Sequence, residues 1–148
     1  MSAALPTIPS DASAATQADD DGNVGSGEAH AKAILFGEHA VVYGEPALAL
    51  PVRTLRAVAS IKRIRSGFHL DSDLFTGPFE AAPSHIAPVI TALHSSLSHI
   101  GLQTGASLRL RSNIPHGRGL GSSAAVAAAI ARATAELTGQ PLNSEGSH

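Results

Sequence analysis

PHGRGLGSSAAVAAAIARATAEL, Pro115–Leu137, decides how this chain is read: a glycine-rich turn runs straight into an alanine-rich helix. Gly117, Gly119 and Gly121 alternate with Arg118 and Leu120. Every second position lacks a Cβ, and the backbone can turn its N–H groups toward one point. Ser122 and Ser123 follow as cap-type residues. From Ala124 to Leu137 only Val126, Ile130 and Thr134 are less than good helix formers, and Gly139 and Pro141 end the run. The helix aims its unpaired N-terminal amides and positive dipole end at the space the glycines enclose. A strand-to-helix turn that binds nothing needs fewer glycines and no serine pair; the stretch is built to cradle phosphate.

Two familiar nucleotide loops do not fit it. A Walker A loop ends in Gly-Lys-Ser/Thr, and here Gly121 runs into Ser122 with no lysine between. A dinucleotide fingerprint follows a strand buried on both faces and is answered by an acid at the end of the next strand. Arg109 and Arg111 spoil such a strand, and the nearest acid, Glu136, lies inside the helix.

Outward from the loop, Ala106–Arg111 alternates Leu108 and Leu110 with Arg109 and Arg111, a strand delivering the chain into the glycines. Before it, Ile86, Ile90, Leu93, Leu97 and Ile100 lie on one helix stripe, with Pro88 in the first turn and Gly101 just past the end. Phe68, Leu70, Leu74, Phe75 and Phe79, set among turn residues, predict a hairpin over 66–80. Thr54–Ile64 alternates Leu55, Ala57, Ala59 and Ile61 with polar residues, as a half-buried antiparallel strand does. A shorter strand is expected just before it, after a turn at Gly44–Pro46, and AHAKAILF forms a first strand that ends at Gly37. Residues 1–26 are rich in Ala, Ser, Pro, Gly and Asp without any hydrophobic period and are expected to be a disordered tail; 27–148 form one domain.

Composition bounds the chemistry. Of 148 residues 43% are hydrophobic, many of them alanine, and only 3% are aromatic, so the core rests on small aliphatic contacts. The absence of cysteine removes disulfides and thiolate chemistry. A net charge of −2 without a basic run argues against nucleic acid. No apolar stretch reaches membrane-spanning length, and Met1–Asp21 has the features of neither a signal nor a transit peptide. No membrane partner is expected, and the expected compartment is the cytoplasm. The histidines show no metal-binding spacing; His94 and His99 fit the polar side of the helix. Arg53, Arg56, Lys62, Arg63 and Arg65 fit the solvated side of a strand pair.

Lys32 stands inside an apolar strand. Its ammonium either steadies phosphate oxygens and lowers the pKa of an acceptor hydroxyl, or sits in solvent at a sheet edge. Glu38 and His39 at the strand's end are open in the same way, as ligand groups on a loop or as surface residues.

Taken together, Ala31–Gly44 (AKAILFGEHAVVYG) and Pro115–Ala124 (PHGRGLGSSA) resemble the first two motifs of the mevalonate kinases, in the superfamily of galactokinase, homoserine kinase, mevalonate kinase and phosphomevalonate kinase. Galactokinases follow Gly-Glu-His with Thr-Asp, homoserine kinases lack the triplet, and phosphomevalonate kinases tend to carry tyrosine at the position of His39. The resemblance implies an α+β fold of the ribosomal-protein-S5-domain-2-like type, a mixed sheet with helices packed on one side. It implies ATP-dependent phosphorylation of mevalonate to 5-phosphomevalonate in isoprenoid precursor synthesis. Lys32 would act at the acceptor hydroxyl as the catalytic residue, and Glu38 and His39 would line the substrate pocket. Pro115, Gly117, Arg118, Gly119, Leu120, Gly121, Ser122, Ser123 and Ala124 would bind ATP, with Ser123 on Mg²⁺. A homodimer of the full-length form is compatible with it. The family's second Mg²⁺ acid, aspartate base and third glycine-rich motif have no counterpart here, so the chain is expected to be an N-terminal fragment lacking its C-terminal domain and turning over poorly alone. Phosphomevalonate kinase and a non-catalytic nucleotide- or phosphate-binding module are the rival readings.

Overall fold

The computed structural model describes residues 23–139. Five strands form one sheet: β1 (Val24–Phe36), β2 (Leu48–Ile64), β3 (Phe68–Ser72), β4 (Thr76–Pro78) and β5 (Gly105–Ser112). Helix α1 (Ala87–His99) stands between β4 and β5, and α2 (Ser122–Leu137) follows the glycine loop. The order across the sheet is β1-β2-β5-β3-β4, antiparallel throughout except for the parallel β3/β5 pair, so the sheet is mixed as expected.

One sheet face is apolar because the alternation is consistent from strand to strand. Ala29 and Ala31 of β1, Ala57, Ala59 and Ile61 of β2, Leu70 of β3, and Ala106, Leu108 and Leu110 of β5 are all buried. The helices bring Leu93 and Leu97 of α1 and Ala125, Ala129, Ile130, Ala133 and Leu137 of α2 onto that face. The long-helix stripe therefore lies where its spacing placed it. His94 is less detached than a polar-face residue: it meets the Phe68 and Phe79 rings edge-on, with centroids 4.7 Å and 5.8 Å away.

Three boundaries differ from expectation. β1 begins at Val24, inside the stretch assigned to the tail, because Gly25 and Gly27 pack directly beneath α2; the rest of that stretch, 1–22, lies outside the described residues. The two strands expected over 47–64 are one continuous strand. Its register against β1 jumps from His30↔Arg56 to Ala31↔Val52, so a bulge absorbs the break in alternation. Finally, the cap of α2 is Gly121 rather than a serine, and no side chain bonds its first amides.

α2 also covers the outer edge of β1. Glu136 Oε2 accepts the Ser26 N–H at 2.6 Å, Arg132 donates to the Glu28 carbonyl at 2.5 Å, and Asn23 donates to the Leu137 carbonyl at 2.6 Å. Edge groups satisfied in this way are not left to pair with another chain.

On the sheet face opposite the helices, Asp71 of β3 clamps β5. Its Oδ2 accepts from Arg109 Nε at 3.1 Å and its Oδ1 from Arg111 at 2.9 Å, while Arg111 also donates to the Asp71 carbonyl at 2.8 Å. Burial pushes the Asp71 pKa up, but the hydrogen bonds and charges of Arg111 and Arg109 outweigh it and hold the carboxyl below its ordinary 3.8. A depressed carboxylate contributes stability above its unfolded pKa and loses it as pH falls through the folded value. Asp71→Asn is expected to cost about 1–3 kcal/mol at neutral pH. Urea titrations should show the difference from wild type shrinking as pH drops below 3.8.

Candidate functional site: a glycine nest beside Lys32

The loop from Pro115 to Gly121 has the geometry its composition requires. Gly117, Gly119 and Gly121 sit at φ +68°, +69° and +68°, whereas no non-glycine residue among those described has positive φ. Left-handed glycines therefore alternate with Arg118 and Leu120 at ordinary φ, the pattern that converges successive N–H groups into an anion-binding concavity. A Cβ added at any of the three would meet nothing within 4 Å, so conformation and not space demands glycine there.

The concavity continues into α2. Gly121 is its N-cap, the Ala125 N–H closes the first turn on the Gly121 carbonyl at 2.9 Å, and the earlier amides have no side-chain partner. Ser122 and Ser123 thus occupy the first helical positions with their hydroxyls uncommitted to capping; Ser122 is half-buried and Ser123 exposed. Free amides at a helix start, next to a glycine nest, make a site for oxyanions.

β1 supplies the cation. The Lys32 N–H donates to the Leu120 carbonyl at 3.0 Å, tying the strand to the loop, and the Lys32 side chain is exposed. Lys32, Gly121 and Ala124 share the wall of a cavity of about 250 Å³, with His30 and Arg132 also on its lining. His30 and Arg132 escaped the sequence reading. The available signal was a lone arginine in an alanine helix, eight residues beyond Ala124 and so on the same stripe.

The structure does not bring Glu38 and His39 to that cavity's wall. They stand on the loop after β1, 3.6 Å from one another, with side chains 67% and 97% exposed. The loop is set by Gly37 at φ +89° and by the Val41 N–H bonding the Gly37 carbonyl at 2.9 Å, which starts a single 3-10 turn over Ala40–Tyr43. Around it Phe36, Val42 and Tyr43 are 72%, 80% and 85% exposed, an apolar end that the described residues leave uncovered. Pro115, Gly117, Arg118 and Gly119 are exposed along the loop, as is Ala124 in the first turn of α2.

The donor set fits a phosphate chain better than a bare metal. Among the described residues no group of three or more His, Asp or Glu could hold an ion. The Ser123 hydroxyl offers one oxygen, enough for Mg²⁺ only where phosphate oxygens and water fill the other positions.

A nest opening a helix, a lysine-bearing strand hydrogen-bonded to the nest, and a mixed sheet with helices on one face define an α+β domain whose glycine loop has the geometry of an anion site. Residues 84–147 match the model described as "GHMP kinases N terminal domain". The chain is a GHMP kinase N-terminal domain. Its relatives include the mevalonate kinases of Thermococcus sibiricus, 37% identical over 79% of this chain and 40% of that protein, and of Pyrococcus horikoshii, 35% identical over the same shares. Among solved structures it is similar to mevalonate kinase from methicillin-resistant Staphylococcus aureus, at TM-score 0.59 and 33% identity over 83% of this chain and 41% of that one. The fold is shared with Methanococcus jannaschii mevalonate kinase, at TM-score 0.69 and 24% identity over 85% of this chain and 44% of that one. The chain spans about 40% of the length of the curated relatives it matches. Among its described residues no helix is long and apolar enough to cross a membrane.

Proposed function

We propose that this chain is the phosphate-binding part of a kinase that transfers the γ-phosphoryl group of ATP to the 5-hydroxyl of mevalonate. The observation that carries the reading is the nest of left-handed glycines opening an uncapped helix and hydrogen-bonded, through Leu120, to the strand of Lys32. The relatives' name, mevalonate kinase, supports mevalonate as the acceptor. ATP with Mg²⁺ provides the phosphoryl group and spreads its charge.

Amides from Gly117 to Ser123 would hold the phosphate oxygens, and the Ser123 hydroxyl would reach the metal. Lys32 would neutralise charge at the transferring group and favour the acceptor alkoxide. Glu38 and His39 would face the acceptor once the apolar end around them is covered. Positioning and electrostatics are what such a transfer asks of the protein. The chain alone should bind Mg-ATP with little turnover. The product, 5-phosphomevalonate, places the reaction in isoprenoid precursor synthesis.

The test uses the complete gene product together with the 148-residue chain. Mg-ATP should bind both by calorimetry, and the complete product should release ADP with mevalonate in preference to 5-phosphomevalonate. Lys32→Ala should lower kcat by at least about 10²-fold. Unchanged turnover in that variant would remove Lys32 from the chemistry. Preference for 5-phosphomevalonate would change the acceptor, and binding without any turnover would favour the non-catalytic module.

A further inference from the structure

We propose that Leu120 is a positioning residue: it pins the glycine nest to β1 so that the direction of the phosphate-binding amides and the placement of Lys32 are set together. The inference rests on the phosphate-binding reading of the loop. From Pro115 to Gly121, six residues are exposed and Leu120 alone is partly buried. Its side chain packs against the hydrophobic core, while its carbonyl accepts the Lys32 N–H at 3.0 Å. Its neighbours on both sides, Gly119 and Gly121, are left-handed and have no side chain that could anchor them, and a Cβ on either would meet nothing within 4 Å.

Such a loop has a direction problem. Glycines lose more conformational freedom on ordering than any other residue, and three of them within five positions could turn the nest several ways. In a nest the N–H groups converge on one side and the carbonyls are directed away from it. Fixing the Leu120 carbonyl on β1 therefore fixes the side on which the amides converge. Because the donor is the backbone of Lys32 itself, the same bond places the strand that carries the cation. The leucine side chain keeps the carbonyl there by anchoring the residue in the core. Ligand binding to the amides and order at the Lys32 backbone should then be coupled, although they lie on different elements.

The coupling can be read by amide hydrogen exchange at Lys32 and by ATP and inorganic phosphate titrations of the 148-residue chain. In wild type, ATP should slow exchange at Lys32. Leu120→Ala should speed exchange at Lys32 in the free chain, weaken ATP at least tenfold, and leave the amides of Ile61 and Leu108 protected. Leu120→Met, which keeps an apolar anchor, should restore both. The pin is overturned if Leu120→Ala binds ATP as wild type does, or if affinity falls while Lys32 exchange stays unchanged. Loss of protection at Ile61 and Leu108 in Leu120→Ala, repeated in Leu120→Met, would also overturn it by showing a purely structural role. If wild type binds neither ATP nor phosphate, the kinase reading falls and takes the proposal with it, whereas failure confined to the variants sinks the pin alone.

Discussion

Gly27→Ala should destabilise the protein by about 3 kcal/mol or more, at the upper end of what overpacking costs. A Cβ built there lies 2.1 Å from the Ala129 carbonyl oxygen and 2.4 Å from the Ala133 nitrogen. Both belong to the backbone of α2, so no rotamer change relieves the clash; the helix must lift from β1 or the strand must shift. Gly25 is in the same position, its Cβ falling 2.0 Å from the Ala133 carbonyl oxygen. Neither glycine needs positive φ. In open space an alanine at such a site would stabilise by about 0.4–1 kcal/mol through the unfolded chain, so the clash reverses the sign. The penalty should extend to edge coverage, because lifting α2 breaks the contacts of Glu136 and Arg132 with β1. Urea unfolding of Gly27→Ala checks this. A loss below about 1 kcal/mol would mean that α2 is held less closely than the distances imply.

Those two glycines show what could not be read from sequence. Gly25-Ser26-Gly27 has the composition of a tail, and only a helix more than a hundred residues later explains it. The glycines at 117, 119 and 121 were legible because their requirement is local: alternating left-handed φ is a property of the loop itself. The stripe of α1 and the alternation of β5 were legible for the same reason. The parallel pairing of β3 with β5, and the Asp71 clamp that rides on it, join residues about forty positions apart and leave no periodic trace. The bulge in β2 hid a single strand because it interrupts the period on which the reading relied. Of the site, Lys32 and the nest were paired through the family resemblance, but the bond between them is a backbone contact that no side-chain identity announces. Glu38 and His39 came from the same motif, yet they stand in solvent, since their loop adjoins an apolar end that the described residues do not cover.

Gly121→Ala should weaken ATP binding by about 10- to 100-fold, and the loss should exceed what its effect on stability explains. Gly121 is at φ +68° with open space around it, so the added methyl clashes with nothing outside the residue. An L residue held in the left-handed region costs roughly 1–2 kcal/mol. The loop can escape that cost by turning residue 121 to negative φ, but the turn rotates the adjoining peptides, which carry the Leu120 carbonyl and the Ser122 N–H. Either course reduces binding: the strained nest is less populated, and the relaxed one no longer converges its amides. Gly101→Ala separates this from strain alone. Gly101 has φ +73° and equally open surroundings, but it lies past the end of α1. Its replacement should lower stability by a similar roughly 1–2 kcal/mol and leave ATP affinity unchanged. Calorimetric titration and urea unfolding on both variants decide the matter. Equal loss of affinity in the two would trace the effect to general destabilisation. A Gly121→Ala chain that binds as wild type does would show that the left-handed turn into α2 is not what holds the phosphates.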